Sequence, residues 1–194
     1  MLANLPPGLI LIAGALVAPL FRGRLKQAYL LFLPVVSFLH VASLPSGYTL
    51  DIMFMAYELQ PVRVDKLSLV FGFAFHIAAF LGVVYALHVK DNVQQVMSLV
   101  YAGAGISALF AGDLVTLFVY WELTAISSVF LIWASRTTRS FRVGMRYLII
   151  QVGSGVILLA GIVLHYRDGG SLSFGHLGLV SAGTALILLA FGIK

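Results

Sequence analysis

The chain has 194 residues, of which 61% are hydrophobic and only 10% charged, and a formal net charge of +5. Soluble domains average about 25% charged residues, so this composition excludes a water-soluble enzyme and implies a polytopic, all-α membrane protein. The basic residues stand in short connections between apolar runs, where they orient spans rather than bind nucleic acid, and the absence of cysteine excludes thiolate metal sites and disulfides.

The first apolar run, Leu5 to Leu20, has no Lys or Arg before it and is followed by Arg22, Arg24 and Lys26. That polarity fits a retained anchor with its N-terminus outside, not a cleaved signal peptide. Further spans are expected at about Gln27 to Leu44, Asp65 to His88, Val93 to Gly112, Asp113 to Ser135, Val143 to Tyr166 and Leu179 to Lys194. These make about seven helices in one transmembrane domain, residues 1–194. Alternating directions collect Arg22, Arg24, Lys26, Lys90, Arg136, Arg139, Arg142 and Arg146 on the cytoplasmic side and leave Arg63, Lys66 and Arg167 outside. The asymmetry predicts a multi-pass protein of a cell membrane, of the bacterial plasma-membrane kind, with its N-terminus outside.

Between the second and third spans, Leu50, Ile52 and Phe54, then Val62 and Val64, alternate with other residues, which suggests a short extracytoplasmic hairpin; Pro61 argues against a regular ladder, and a loop on the headgroups is the other reading. Small residues recur every fourth position at Ala74, Ala78, Gly82 and Ala86 and at Gly103, Ser107 and Ala111, predicting close helix contacts. Gly153 and Gly155 read as packing contacts or a soft spot in the sixth span, packing being the simpler role.

Glu122 stands out: it lies nine residues beyond Asp113, about 13 Å into a hydrocarbon layer of roughly 30 Å. A carboxylate at that depth costs about 3 kcal/mol and marks an ion or proton pathway. Its same-face neighbours Phe118, Val119, Ala125 and Ile126 cannot pair a charge, so a partner must come from another helix, from water, or be a proton. Lys194 is about 15 residues, or roughly 22 Å, into the last span and reaches toward the same layer. Opposite charges at an effective dielectric of about 20 attract by about 4 kcal/mol at 4 Å and about 2 at 8 Å. Shifting the lysine therefore changes the glutamate's proton affinity by on the order of one to two pKa units, which makes the pair a switch; a static ion pair fixing helix register is the competing role. His76, at mid-depth in the third span, is a candidate for a hydrated proton path or a hydrogen-bonded packing residue. His40 lies about 10 Å from it in depth, a poor haem pair, and no glycine-rich phosphate loop or metal-spaced histidine cluster is present. No cofactor and no metal are expected.

The segment Asp113-Leu-Val-Thr-Leu-Phe-Val-Tyr-Trp-Glu122-Leu, the run Ser127 to Ile132, Arg146-Tyr147-Leu148 leading to Gln151-Val-Gly153-Ser154-Gly155, and Ala190-Phe191-Gly192-Ile193-Lys194 resemble motifs of one family. It comprises the membrane subunits of Mrp-type sodium/proton antiporters, the D-type among them, and of respiratory NADH:quinone oxidoreductase. The resemblance implies that Glu122 and Lys194 are the family's proton-gating pair, and that the chain is the N-terminal portion of a fourteen-helix fold with two inverted repeats. It implies a transporter subunit rather than an enzyme, partnered by the lipid bilayer, other membrane subunits, protons and a monovalent cation. A scaffold subunit of a respiratory or hydrogenase-type complex that moves no ions is the alternative. The chain stops within the seventh helix, where a true terminus would leave a carboxylate and unpaired carbonyls in the bilayer, so a longer protein is expected.

Overall fold

The computed structural model describes residues 5–55, 57–179 and 181–194. Among them are seven α-helices and a two-stranded sheet in the order α1 (Leu9–Val17), α2 (Gly23–Ser43), β1 (Thr49–Phe54), β2 (Tyr57–Arg63), α3 (Lys66–Tyr85), α4 (Asn92–Leu109), α5 (Leu114–Trp133), α6 (Thr138–Arg167) and α7 (Ala182–Ile193). Among the described residues four stretches are long and apolar enough to cross a membrane: Gly23–Ser43, Lys66–His88, Leu114–Trp133 and Thr138–Arg167. The helices of α1 and α7 are shorter apolar segments. Helix α4 packs against α1, α3 and α5 at the centre of the bundle. Facing protein rather than lipid, it can carry Asn92, Gln94, Gln95 and Ser98 in its first two turns.

Helix starts follow local capping chemistry. Asp65, Asp91, Asp113, Thr137 and Ser181 each accept a backbone N–H of the first turn through the side chain. The Thr137–Ser140 capping box starts α6 five residues before the apolar run expected from Val143, so Arg139 and Arg142 are helical. Val180, in the run expected from Leu179, lies outside the described residues; α7 starts after Ser181.

Burial is inverted relative to a water-soluble bundle. Ser37, His76, Ser107, Asp113, Ser127 and Ser154 are at most 1% exposed, while Leu20, Leu67 and Ile149 are 66–80% exposed. Polar groups gather in the interior of the bundle and aliphatic side chains face outward, the arrangement a hydrocarbon solvent selects.

The two small-residue stripes have different fates. Gly103, Ser107 and Ala111 are buried, and a Cβ on Gly103 would stand 2.7 Å from the Gly8 carbonyl oxygen, so α1 and α4 touch backbone to backbone. Ala74, Ala78 and Gly82 instead face outward. The buried face of α3 is Ser68, Gly72, His76 and Val83, with Gly72 seating the Phe110 ring. Ala78, Gly82 and Ala86 line, with Gly105 and Thr124, an apolar groove of about 500 Å³.

The sheet is an antiparallel hairpin in which Leu50 pairs with Val62 and Ile52 with Leu59, leaving Asp51 opposite both Gln60 and Pro61. This bulge absorbs the proline that argues against a regular ladder. The hairpin closes one end of the bundle: the Arg63 amide donates to Phe110 O (2.7 Å), Gly112 N to Gln60 O (2.9 Å) and Leu114 N to Leu172 O (2.9 Å). Asp113, fully buried, joins these parts by accepting from Thr116 N and Thr116 Oγ1 (2.7 Å each) and from Gln60 N (2.8 Å). Asp113→Ala removes a cap and a charge-assisted hydrogen bond to the hairpin, and is expected to cost about 3 kcal/mol of stability, whereas Asp113→Asn should cost much less. A detergent-micelle unfolding titration of both variants measures the difference.

The opposite end is held by side chains. Lys26, buried in the first turn of α2, donates to Asn92 Oδ1 (2.6 Å), and Gln27 Nε2 donates to Leu87 O (3.2 Å). Arg136, in the left-handed region at φ 50°, forms an ion pair with Asp91. The Arg136 guanidinium, followed by amide hydrogen bonds from Val93 and Gln94, holds the Asp91 carboxyl below its ordinary value of 3.8. A depressed carboxylate pKa stabilises the fold above the ordinary value, and the contribution is lost as pH falls through the folded value. Thermal stability in detergent is therefore expected to drop on acidification below about pH 4, with Asp91→Asn flattening that part of the profile.

Candidate functional site

The site forms where α5, α6 and α7 meet. Helix α5 carries Trp121 and Glu122, successive residues that point about 100° apart around its axis. Glu122 turns toward α6 and lies on Gly155: a Cβ at Gly155 would stand 2.1 Å from Glu122 Oε1 and 2.4 Å from Cδ. Only a residue without a side chain leaves room for the carboxylate there. Glu122 Oε1 is buried with no hydrogen-bond partner among the described residues, and the same holds for Gln151 Oε1, one turn earlier on the Gly155 face of α6, and for Trp121 Nε1.

Lys194 approaches from the end of α7. Its ammonium donates to the Trp121 carbonyl oxygen at 2.8 Å and sits 4.2 Å from the centre of the Trp121 ring. The ring is held edge-on by Phe191, 4.9 Å away. A carbonyl oxygen and an aromatic face both favour a cation. Thr124 Oγ1 donates to the same carbonyl at 2.7 Å.

Glu122 and Lys194, expected to meet as a pair, are thus brought to adjacent residues of α5 but not into contact. The ion pairs of 4.0 Å or less among the described residues are Arg63–Asp65, Arg136–Asp91 and Arg167–Asp168, all at helix ends or in connections. The two charges remain within coulombic reach. The reason is angular: the carboxylate is aimed at α6, whereas the ammonium comes from α7 onto the residue before it.

Polar groups continue the site on both sides. Ser154 Oγ, buried, donates to Ala190 O at 2.9 Å and ties α6 to α7 one turn before Lys194. Ser128 Oγ and Tyr147 Oη are 2.9 Å apart between α5 and α6. Trp121, Gln151 and Gly155 stand in the motifs quoted from the sequence, but their gathering around Glu122 and Lys194 is not legible there, where Gly155 reads as a packing contact or a soft spot; the closely spaced Gly153-Ser154-Gly155 is the available signal. Gly153 itself has open space where a Cβ would go.

His76 lies elsewhere, on α3. It is 1% exposed, its Nδ1 donates to Gly72 O at 2.7 Å, and its Nε2 is 2.8 Å from Ser37 Oγ, which donates to Pro7 O at 3.0 Å. His40 Nε2 contacts Leu5 O at 3.1 Å. Among the described residues there is no group of three or more His, Asp or Glu able to hold a metal ion.

A bundle of apolar helices in which the Glu122 Oε1 atom is buried and a lysine is moored one residue away is similar to the antiporter-like membrane subunits of Mrp and complex I. Residues 111–194, which contain α5, α6 and α7, match the family model described as NADH:quinone oxidoreductase/Mrp antiporter, transmembrane. The chain is 28% identical over 134 residues to the D-type subunit of the Na(+)/H(+) antiporter of Bacillus subtilis, covering 60% of this chain and 27% of that protein. It is 25% identical to the N-type subunit of the NADH-quinone oxidoreductase of Deinococcus radiodurans over 100% of this chain and 44% of that protein, so it spans less than half the length of these relatives. In fold it is similar to a chain of the Mrp complex from Dietzia sp. DQ12-45-1b, with a TM-score of 0.78 at 22% identity over 96% of this chain and 22% of that one. A chain of respiratory complex I from Thermus thermophilus gives a TM-score of 0.78 at 16% identity over 100% of this chain and 43% of that one.

Proposed function

We propose that the chain translocates protons as part of a membrane subunit of a multi-subunit cation/proton antiporter, with Glu122 as the proton carrier and Lys194 as the charge that biases it. The observation that carries this reading is the Glu122 carboxylate: Oε1 is buried and unpartnered on Gly155, while the ammonium that would neutralise it rests on the neighbouring residue. A buried carboxylate without a fixed partner is an expensive structural element but a useful proton site. The lysine has two resting places, the Trp121 carbonyl with its ring and the Glu122 carboxylate. Movement between them changes the field on the carboxylate by about 2 kcal/mol for a separation going from 8 to 4 Å at a dielectric of about 20.

The names of the relatives support the setting: sodium/proton antiporter subunits and a quinone oxidoreductase subunit. In this reading all seven helices cross the membrane as the first part of a fourteen-helix fold, one transmembrane domain over residues 1–194. The basic end with Arg136, Arg139, Arg142 and Arg146 is cytoplasmic, and the hairpin and N-terminus lie outside a bacterial plasma membrane. His76 belongs to a proton path beside α2, and the further partners are other membrane subunits and a monovalent cation.

The test is pH-gradient-driven cation exchange in vesicles containing the assembled complex. Loss of exchange in both Glu122→Gln and Lys194→Ala, with complex abundance unchanged, supports the proposal. Normal exchange in both rejects it, and loss of complex abundance with exchange per complex retained assigns the two residues to assembly.

A further inference from the structure

The corner between α5 and α6 holds a second site that proton transfer does not use. A cavity of about 610 Å³ opens there, lined by Trp133, Arg136, Thr138, Phe141, Arg142 and Met145 among others, with no carboxylate in its wall. The Trp133 and Phe141 rings stack at 5.5 Å, and Trp133 Nε1 donates to Phe141 O at 3.4 Å. Gly144 makes room for this wall, since a Cβ there would stand 2.3 Å from Trp133 Nε1. Arg136 gives one guanidinium nitrogen to Asp91 and keeps the others for the cavity. Arg142 is exposed and forms no ion pair among the described residues, and Arg139 and Arg146 flank it at helical spacings of three and four.

Directly below, Met145, Ile149, Val152 and Val156 recur at spacings of four, three and four, so they form one stripe on α6 continuous with the cavity wall. All four are between 36% and 67% exposed. The stripe runs 11 residues, about 17 Å, which matches one leaflet of a hydrocarbon core about 30 Å thick. Trp133 ends one span and Thr138 begins the next, so the cavity stands at the level of the headgroups.

We propose that this corner binds an anionic phospholipid, its phosphate held by Arg136 and Arg142 against the Trp133–Phe141 wall and an acyl chain lying along the α6 stripe. Arg142, with no carboxylate paired to it among the described residues, and the guanidinium nitrogens of Arg136 left over from its Asp91 ion pair select a phosphate, and a fork-shaped guanidinium suits its paired oxygens. The apolar stripe selects a lipid over a free anion, because only a lipid occupies both parts at once. Basic pockets between spans recognise acidic headgroups by this combination.

The experiment uses the 194-residue chain in phosphatidylcholine vesicles, into which acyl-brominated phosphatidylglycerol or acyl-brominated phosphatidylcholine is mixed at equal mole fraction. Quenching of tryptophan fluorescence is the readout, the chain containing only Trp121 and Trp133. Brominated phosphatidylglycerol is expected to associate about fivefold more tightly, the effect of one arginine at an anionic surface. The preference should vanish in Trp133→Phe, which removes the reporter, and fall to parity in Arg142→Gln. Equal quenching of the native chain by the two lipids overturns the proposal. A preference that persists in Trp133→Phe, or no quenching because another helix covers the stripe, would also overturn it.

Discussion

Glu122→Gln is expected to abolish pH-gradient-driven exchange, lowering its rate about a hundredfold or more, the scale of losing a positioned proton-transfer group. Glutamine has the shape and volume of glutamic acid, so the α5–α6 contact at Gly155 survives and the complex should assemble in normal amount. What it lacks is a proton it can release. Glu122 Oε1 is buried without a partner among the described residues, whereas a structural carboxylate is tied by donors, as Asp113 is by Thr116 and Gln60, and replacing it costs stability. Dye-monitored exchange in everted vesicles, normalised to the amount of complex, measures the effect. Exchange at the native rate would remove Glu122 from the pathway.

Gly155→Ala should impair exchange by about tenfold while leaving stability close to native, because the atoms it meets are the far end of a flexible side chain. The new methyl group would stand 2.1 Å from Glu122 Oε1, so the carboxylate must leave its seat and its separation from Lys194 must change. Two other glycines provide the controls. Gly153→Ala meets open space and should transport normally. Gly183→Ala would place a Cβ 2.5 Å from the His165 amide nitrogen and 2.9 Å from the Gly161 carbonyl oxygen. Backbone cannot step aside, so that variant should lose stability through α6–α7 packing rather than through the proton site. Parallel exchange and thermal-unfolding measurements on the three variants separate the effects; a Gly155→Ala protein that exchanges normally would show that the position of the carboxylate does not matter.

Much of this molecule is legible in one dimension. Composition announces the hydrocarbon solvent, and the depth of Glu122 along its span follows from counting residues from Asp113, which does cap α5. The start of Lys66–Tyr85 after Asp65 is readable for the same reason, since an aspartate satisfying first-turn amides acts locally. The start of α6 is less so: Thr137 and Ser140 cap it, but a hydropathy run ignores the charged first turns they make helical.

Which face of each helix meets a neighbour is a different matter. In water an apolar stripe names the buried side, but in lipid an apolar face is equally at home against acyl chains or protein, so periodicity alone does not choose. On α3 the stripe of Ala74, Ala78 and Gly82 faces outward, while Gly72 and His76 turn inward. The same indifference hid the seat of Glu122 on Gly155 and the mooring of Lys194 on Trp121, because each joins residues of different helices. The sequence by itself determined that a carboxylate and an ammonium stand in or at the end of apolar runs, since run and charge are both properties of the residues in order. Only the tertiary structure decided where each charge rests, because that depends on how three helices rotate about their axes to bring backbone, ring and carboxylate together.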